Sequence, residues 1–135
     1  MAILTIKHCR EAPSPEDGTR ILVMRYWPRG MRKERFDAWY RHLAPSADLL
    51  KAFKVLRETS PDSYAEGPGD ADWDRLMARY HAEMRVQRES LRELGERHTA
   101  GEVITLLCGC HDPARCHRTH LANMIFEPER YGLEP

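Results

Sequence analysis

Apolar residues fall along the chain in two rhythms, continuous blocks and blocks spaced by three and four. The continuous blocks are 2–7 (AILTIK), 20–26 (RILVMRY) and 102–108 (EVITLLC). Short unbroken runs of aliphatic residues predict strands, and runs this continuous predict strands covered on both faces, as in a parallel or mixed sheet. The spaced blocks predict helices. Phe36, Trp39, Tyr40 and Leu43 stand at i, i+3, i+4 and i+7, one face of a short helix broken by Ala44-Pro45. Ser46 is placed to cap a second helix whose apolar positions are Leu49, Leu50, Phe53 and Leu56. From Asp70 a long amphipathic helix is expected, with Trp73, Leu76, Met77, Tyr80, Met84, Leu91 and Leu94 on one face and solvated Arg and Glu on the other. A last helix starts at Asp112-Pro113, with Asp as cap and Pro in the first turn, and buries Leu121, Met124 and Ile125.

Between these blocks the breakers are clear. Residues 8–19 carry two prolines, a glycine and several charges, and Pro28 and Gly30 stop the second strand. Residues 57–70, with Pro61, Gly67, Pro68 and Gly69, form a loop long enough to be suspected of function. The order strand, strand, helices, strand, helix predicts one α/β domain over 1–135, with helices packed on a small, largely parallel sheet.

Charge narrows the function classes. The chain has 21 basic and 21 acidic residues, so overall charge gives no pull toward nucleic acid or an anionic membrane, and any basic site must be local. No run of about 18 apolar residues exists to span a bilayer. The opening MAILTIKHCREAP turns polar too soon for a signal peptide, so a cytoplasmic, reducing setting with free thiols is expected.

Candidate chemistry is concentrated in Cys108–His120, CGCHDPARCHRTH, which holds three of the four cysteines and three of the seven histidines. The segment starts at the end of the third strand and runs into the last helix. Ligands of open α/β sheets bind beyond the carboxyl ends of the strands. A helix start, with unpaired N–H groups and a partial positive charge, favours a phosphate, a carboxylate or a thiolate. The second strand ends in Arg25-Tyr26-Trp27-Pro28-Arg29-Gly30. If the two strands are parallel neighbours, Arg25 and Arg29 face Arg115, His117 and Arg118 across one crevice.

Several chemistries compete for these residues. Cys108, Cys110, Cys116, His117 and His120 are zinc-type donors, but C-x-C followed by C-H is a poor knuckle and adjacent helical residues diverge by about 100°. No metal site is therefore assigned. A tyrosine-phosphatase loop requires Arg six positions after Cys, where Cys108 finds Ala114 and Cys110 finds Cys116. A rhodanese-type loop is met by Cys110 and Arg115, although Asp112 and Pro113 would put a carboxylate and a missing N–H inside the anion cradle. The reading favoured is an anion or nucleotide pocket. In it Cys108 and Cys116 are pocket thiols, His117 is an acid/base, Arg25, Arg29 and Arg118 bind the anion, and Trp27 stacks on a planar ligand or roofs the core. Inert burial is the alternative for Cys108. The expected partner is an anionic small molecule, with no cofactor named. A non-catalytic sensor of ligand, metal or oxidant and a nucleic-acid processing accessory protein are the rival classes. Cys9, His8, His42 and His98 receive no role.

Two stretches together resemble a known bacterial family, the "domain of unknown function 488". They are Gly18–Gly30, ending in Trp27-Pro28-Arg29-Gly30, and Leu106-Leu107-Cys108 followed by Asp112-Pro113 and Cys116-His117-Arg118. Trp39, Leu43-Ala-Pro45-Ser46, Trp73 and Tyr80 extend the likeness over most of the chain. The resemblance implies a small cytosolic α/β domain of Rossmann-like layering and no established reaction. Members with this turn commonly carry Asp just before the strand-end Arg, where this chain has Met24.

Overall fold

The computed structural model describes residues 4–59, 71–109 and 117–131. Among these residues four strands form one parallel sheet: β1 (Leu4–His8), β2 (Thr19–Leu22), β3 (Ala38–Trp39) and β4 (Ile104–Cys108). Their order is β1-β4-β2-β3, so β4, latest in sequence, lies between β1 and β2. Its register pairs His8 with Cys108 on one side and Leu22 with Leu107 on the other. A strand with neighbours on both edges and layers on both faces must be apolar throughout, which is why ITLLC reads as an unbroken block and is buried at every position. With every strand parallel, all four carboxyl ends emerge at one edge of the sheet.

Among the described residues four α-helices accompany the sheet: α1 (Ala47–Thr59), α2 (Ala71–Val86), α3 (Arg88–Thr99) and α4 (His117–Phe126). Their apolar sides meet one face of it. Ile21, Val23, Ile104, Leu106 and Cys108 pack there with Leu49, Trp73, Met77, Tyr80, Met84, Leu91, Leu94, Leu121, Met124 and Ile125. Ser46 caps α1 as its sequence implies, its Oγ accepting from Leu49 N at 3.2 Å while Glu83 holds the Ser46 backbone N–H at 2.8 Å. The long helix expected from Asp70 is two helices, interrupted at Gln87 (φ −99°, ψ 18°). The apolar phase runs through the interruption from Met84 to Leu91, so spacing alone could not reveal it.

The short helix expected over Phe36–Leu43 is not formed. Phe36 is extended (φ −131°, ψ 142°), Ala38 pairs with Ile21 and Trp39 with Leu22, and only Arg41–Leu43 makes a 3-10 turn. Backbone N–H groups of Asp37 and Tyr40 bond to Arg20 O and Leu22 O at 2.8 Å each. The open edge of β2 offered more hydrogen bonds than a lone helical turn could, and the apolar residues serve different layers. Phe36 joins Leu22 and Leu107 on the second face, whereas Leu43 joins the helix-covered core.

That second face is closed by loops. Asp17 pairs with Lys7 at 3.0 Å and with Arg20, and its carboxylate also accepts the Ser14 N–H at 3.0 Å. Arg20 Nε donates to Arg35 O at 2.8 Å, fastening the loop after β2. Thr105 Oγ1 donates to Asp17 O at 2.8 Å and, its proton being used there, accepts from Thr5 Oγ1 at 2.6 Å. Gly18 ends this loop with φ 61°, and a Cβ there would stand 2.3 Å from Val103 O. Only glycine permits that approach, which lets Thr19 N bond Val103 O at 2.9 Å and set the register of β2.

Candidate functional site at the strand ends

The carboxyl ends of β2 and β4 are adjacent, as the convergence of the two sequence segments required. Val23 N bonds Leu107 O at 2.9 Å just past the last paired residues. The first turn of α4 lands on this junction. His117 Nε2 lies 2.6 Å from Val23 O, and its Nδ1 lies 3.9 Å from Cys108 Sγ. A carbonyl only accepts, so Nε2 carries a proton, and in the neutral form of the ring it is the Nδ1 lone pair that faces the thiol. His117 is 7% and Cys108 4% exposed, so the pair sits almost out of water. Arg118 is also buried, and its Nη1 donates to Cys108 O at 3.1 Å. A thiol, a base and a guanidinium are thus gathered at one strand end, and the base is oriented by a third group.

His8 provides an internal contrast. Its Nε2 donates to Gly109 O at 3.1 Å and its Nδ1 accepts the Arg10 N–H at 3.1 Å, so both nitrogens are held by backbone. The same tautomer at His117 aims its lone pair at sulfur instead.

Two residues given no role, or only a core role, from the sequence belong to this neighbourhood. Tyr80 meets the His117 ring edge-on, with centroids 5.5 Å apart, and donates its hydroxyl to Leu43 O at 2.6 Å. Cys9 directly follows β1, with Cys9 N bonded to Cys108 O at 2.9 Å, but its side chain packs on the opposite sheet face. Burial pushes the Cys9 thiol up, the Cys108 thiol adds to this, and Arg10 and Arg118 oppose it. The sequence reading left Cys9 in the loop after the first strand, because only the pairing of β1 with β4 brings it beside Cys108.

Behind His117, His81 Nε2 and His120 Nδ1 approach to 3.3 Å, with Tyr131 edge-on to His81 at 5.0 Å. Burial, followed by the field of His81, drives His120 down to about 4; Asp74 opposes this and His117 reinforces it. His120 is therefore neutral near neutral pH. Among the described residues no group of three or more His, Cys, Asp or Glu side chains is arranged to hold a metal ion.

The other expected site residues are distributed as follows. Arg25, two residues beyond Val23, spends Nε and Nη2 on Pro45 O (3.1 Å) and Ala44 O (3.3 Å). Arg29 is exposed in a turn closed by Met31 N to Pro28 O at 3.3 Å, where Gly30 supplies φ 78°. Trp27 packs edge-on against Phe36 (5.5 Å) and Trp39 (5.3 Å), its indole N–H bonded to Met31 O at 2.8 Å, which places it in the second-face layer. Cys116, together with Cys110, His111, Asp112, Pro113 and Arg115, lies outside the described residues. So does most of the expected 57–70 loop, since α1 continues to Thr59. Met24, at the position where the resembled family commonly has Asp, sits beside the site. A Cβ on Gly109 would be 3.2 Å from its Cε, so this wall is thioether rather than carboxylate.

Residues 4–129 match the family model described as the active DUF488-N3 subclade. This chain belongs to the DUF488-N3 family. An uncharacterised protein of Mycobacterium tuberculosis is 30% identical over 113 residues, covering 82% of this chain and 83% of the relative, and one from Mycobacterium bovis matches equally. The uncharacterised Escherichia coli protein YeaO is 44% identical over 50 residues, 33% of this DUF488-N3 chain and 44% of YeaO. No solved structure matches. No helix among the described residues is long and apolar enough to cross a membrane.

Proposed function

We propose that this DUF488-N3 chain binds a small phosphate-bearing or nucleotide-like anion at the strand carboxyl ends and acts on it through Cys108 and His117. The observation that carries this reading is the double fixation of His117 between Val23 O and Cys108 Sγ. A neutral imidazole with Nδ1 toward sulfur can take the thiol proton, leaving a thiolate beside an imidazolium whose Nε2–H stays anchored on Val23. Arg118, bonded to the Cys108 carbonyl, supplies the positive field that favours a thiolate and an incoming anion. Arg25 and Arg29 extend this field along the segment after β2, and Cys116, the residue before His117, is the second pocket thiol. The chemistry needs Cys108 as a reduced thiol, in keeping with a cytoplasmic setting.

Thiolate absorbance near 240 nm, compared between wild type and Cys108→Ser, isolates the titration of Cys108. The expected result is titration at least about one unit below the ordinary cysteine value of ~8.5, moving back up in His117→Gln. Adenosine monophosphate or inorganic phosphate should also slow alkylation of Cys108. Titration at or above ~8.5, with alkylation indifferent to either anion, would return Cys108 to the role of a packing residue.

A further inference from the structure

Four cations towards the carboxyl-terminal half are answered by carboxylates, Arg75 by Asp72, Arg92 by Glu96, Arg97 by Glu93 and Glu102, and Arg130 by Glu127, and the other helix cations are spread singly among acidic residues. Residues 25–35, Arg-Tyr-Trp-Pro-Arg-Gly-Met-Arg-Lys-Glu-Arg, have five cations against one carboxylate. Hydrogen bonds fold this segment onto the loop after β1. Arg10 Nη2 donates to Arg29 O at 3.0 Å, and Arg35 Nη2 donates to Glu11 O at 3.2 Å and Arg10 O at 3.4 Å. Arg10 thereby joins Arg29, Arg32, Lys33 and Arg35 in one loop cluster. None of these, nor Arg25, forms an ion pair among the described residues. In a chain of zero formal net charge such a surplus is a local field.

Solvation accounts for exposed cations but not for exposed aromatic rings. Tyr26, between Arg25 and Arg29, is 60% exposed, and Trp39 is 37% exposed. Trp39 is held in place by its indole N–H on Met24 O at 2.7 Å, and Arg41 lies 5.2 Å from its ring centroid. Cations that meet phosphates, interleaved with rings that stack on bases, are the two parts of a single-strand binding surface.

The structure assigns this surface, Arg10, Arg29, Arg32, Lys33, Tyr26 and Trp39, to docking a single-stranded nucleic acid. The assignment does not depend on thiol chemistry at Cys108. The strand's phosphates lie along the cations of the two loops, and unpaired bases lie on Tyr26 and Trp39. A duplex, whose bases are already stacked on one another, offers the phosphates but not the ring contacts.

Fluorescence anisotropy with labelled single strands of about 12 nucleotides, RNA and DNA, against the matching duplex provides the test. Wild type should bind single strands more tightly than duplex, with affinity falling steeply between about 50 and 300 mM salt. The triple variant Arg29→Ala/Arg32→Ala/Lys33→Ala should weaken binding at least about tenfold and flatten the log–log salt slope by roughly 2, from ~0.7 per phosphate lost. Tyr26→Ala should weaken binding about five- to tenfold and leave that slope unchanged. These side chains are exposed, so melting temperatures should match wild type, and preference between RNA and DNA then names the sugar. Binding that ignores the triple variant, duplex bound as tightly as single strands, or Tyr26→Ala without effect would overturn the assignment. Tighter binding to phosphatidylserine vesicles than to any strand would overturn it in favour of a lipid surface.

Discussion

On one face of the sheet β2 and β4 send Ile21, Val23, Ile104, Leu106 and Cys108 into a layer of four helices; on the other, the same strands send Arg20, Leu22, Thr105 and Leu107 under two loops. The first face is held by apolar burial, which has no direction and spreads over many side chains. The second is held by a few directional bonds that converge on Asp17: Lys7, Arg20 and the Ser14 N–H meet at its carboxylate, and Thr105 donates to its carbonyl. A loop brings little apolar area with it, so it needs such bonds to stay down. The candidate site lies where the faces meet, at the strand ends, with Cys108 and His117 in the apolar layer and Cys9 in the other.

Breaking each face in turn should expose this difference. Asp17→Ala leaves Lys7 and Arg20 without their shared carboxylate, and loss of one partner from a buried ionic cluster costs about 4 kcal/mol. Chemical denaturation should show that loss. Retained stability would mean that water replaces the carboxylate. Leu106→Ala, deep in the helix face, should cost about 3 kcal/mol as neighbouring side chains relax around the cavity. Limited proteolysis separates the two variants: Asp17→Ala should open cleavage in 10–18 and 28–37, and Leu106→Ala should not.

Acid sharpens the comparison further. His120, on the helix face, is held near 4 by burial and by His81, so the unfolded chain takes up its proton first as pH falls. Its contribution is fully present above about pH 6.5 and is lost between there and about 4, on the order of 2 kcal/mol. Asp17 loses its contribution in the same direction, but at lower pH. Burial raises its carboxyl, but the Ser14 N–H, Lys7 and Arg20 outweigh this and hold it below the usual range. Its contribution is present above about pH 4 and is lost only below that. Stability measured against pH should therefore fall in two stages, and His120→Leu should flatten the first while leaving the second. A single stage below pH 4 in wild type would contradict the histidine assignment. The smallest effect is expected for Tyr80→Phe, which leaves Leu43 O without its phenol donor at a cost of about 1 kcal/mol, read by thermal melting.

Legibility in the sequence followed how local each cause was. The runs at 2–7, 20–26 and 102–108 announced strands because each is apolar enough to be buried whichever strands flank it. Ser46 and the spacings Trp73–Tyr80 and Leu121–Ile125 announced helices because a cap or a face is complete within a few turns. The pattern Phe36–Leu43 failed because the hydrogen bonds that decided it run from Asp37 to Arg20 and from Tyr40 to Leu22, well beyond the reach of a helical turn. His117 and Arg118 were legible as a pair at a helix start, whereas Arg25 reads as an anion binder in sequence and is found on the Ala44 and Pro45 carbonyls.

By itself the sequence determined the α/β class, the buried central strand and the placing of thiol, imidazole and guanidinium where a strand passes into a helix. Those follow from burial periodicity and from chain connectivity. Only the tertiary structure decided that β4 inserts between β1 and β2, and with that insertion came the Val23–His117–Cys108 alignment, the junction of Lys7, Asp17 and Arg20, and the arrival of Cys9 beside Cys108. Strand order is set by how a whole set of layers packs at once. No segment holds that information alone, because each strand's backbone hydrogen bonds would be satisfied equally well by any parallel neighbour.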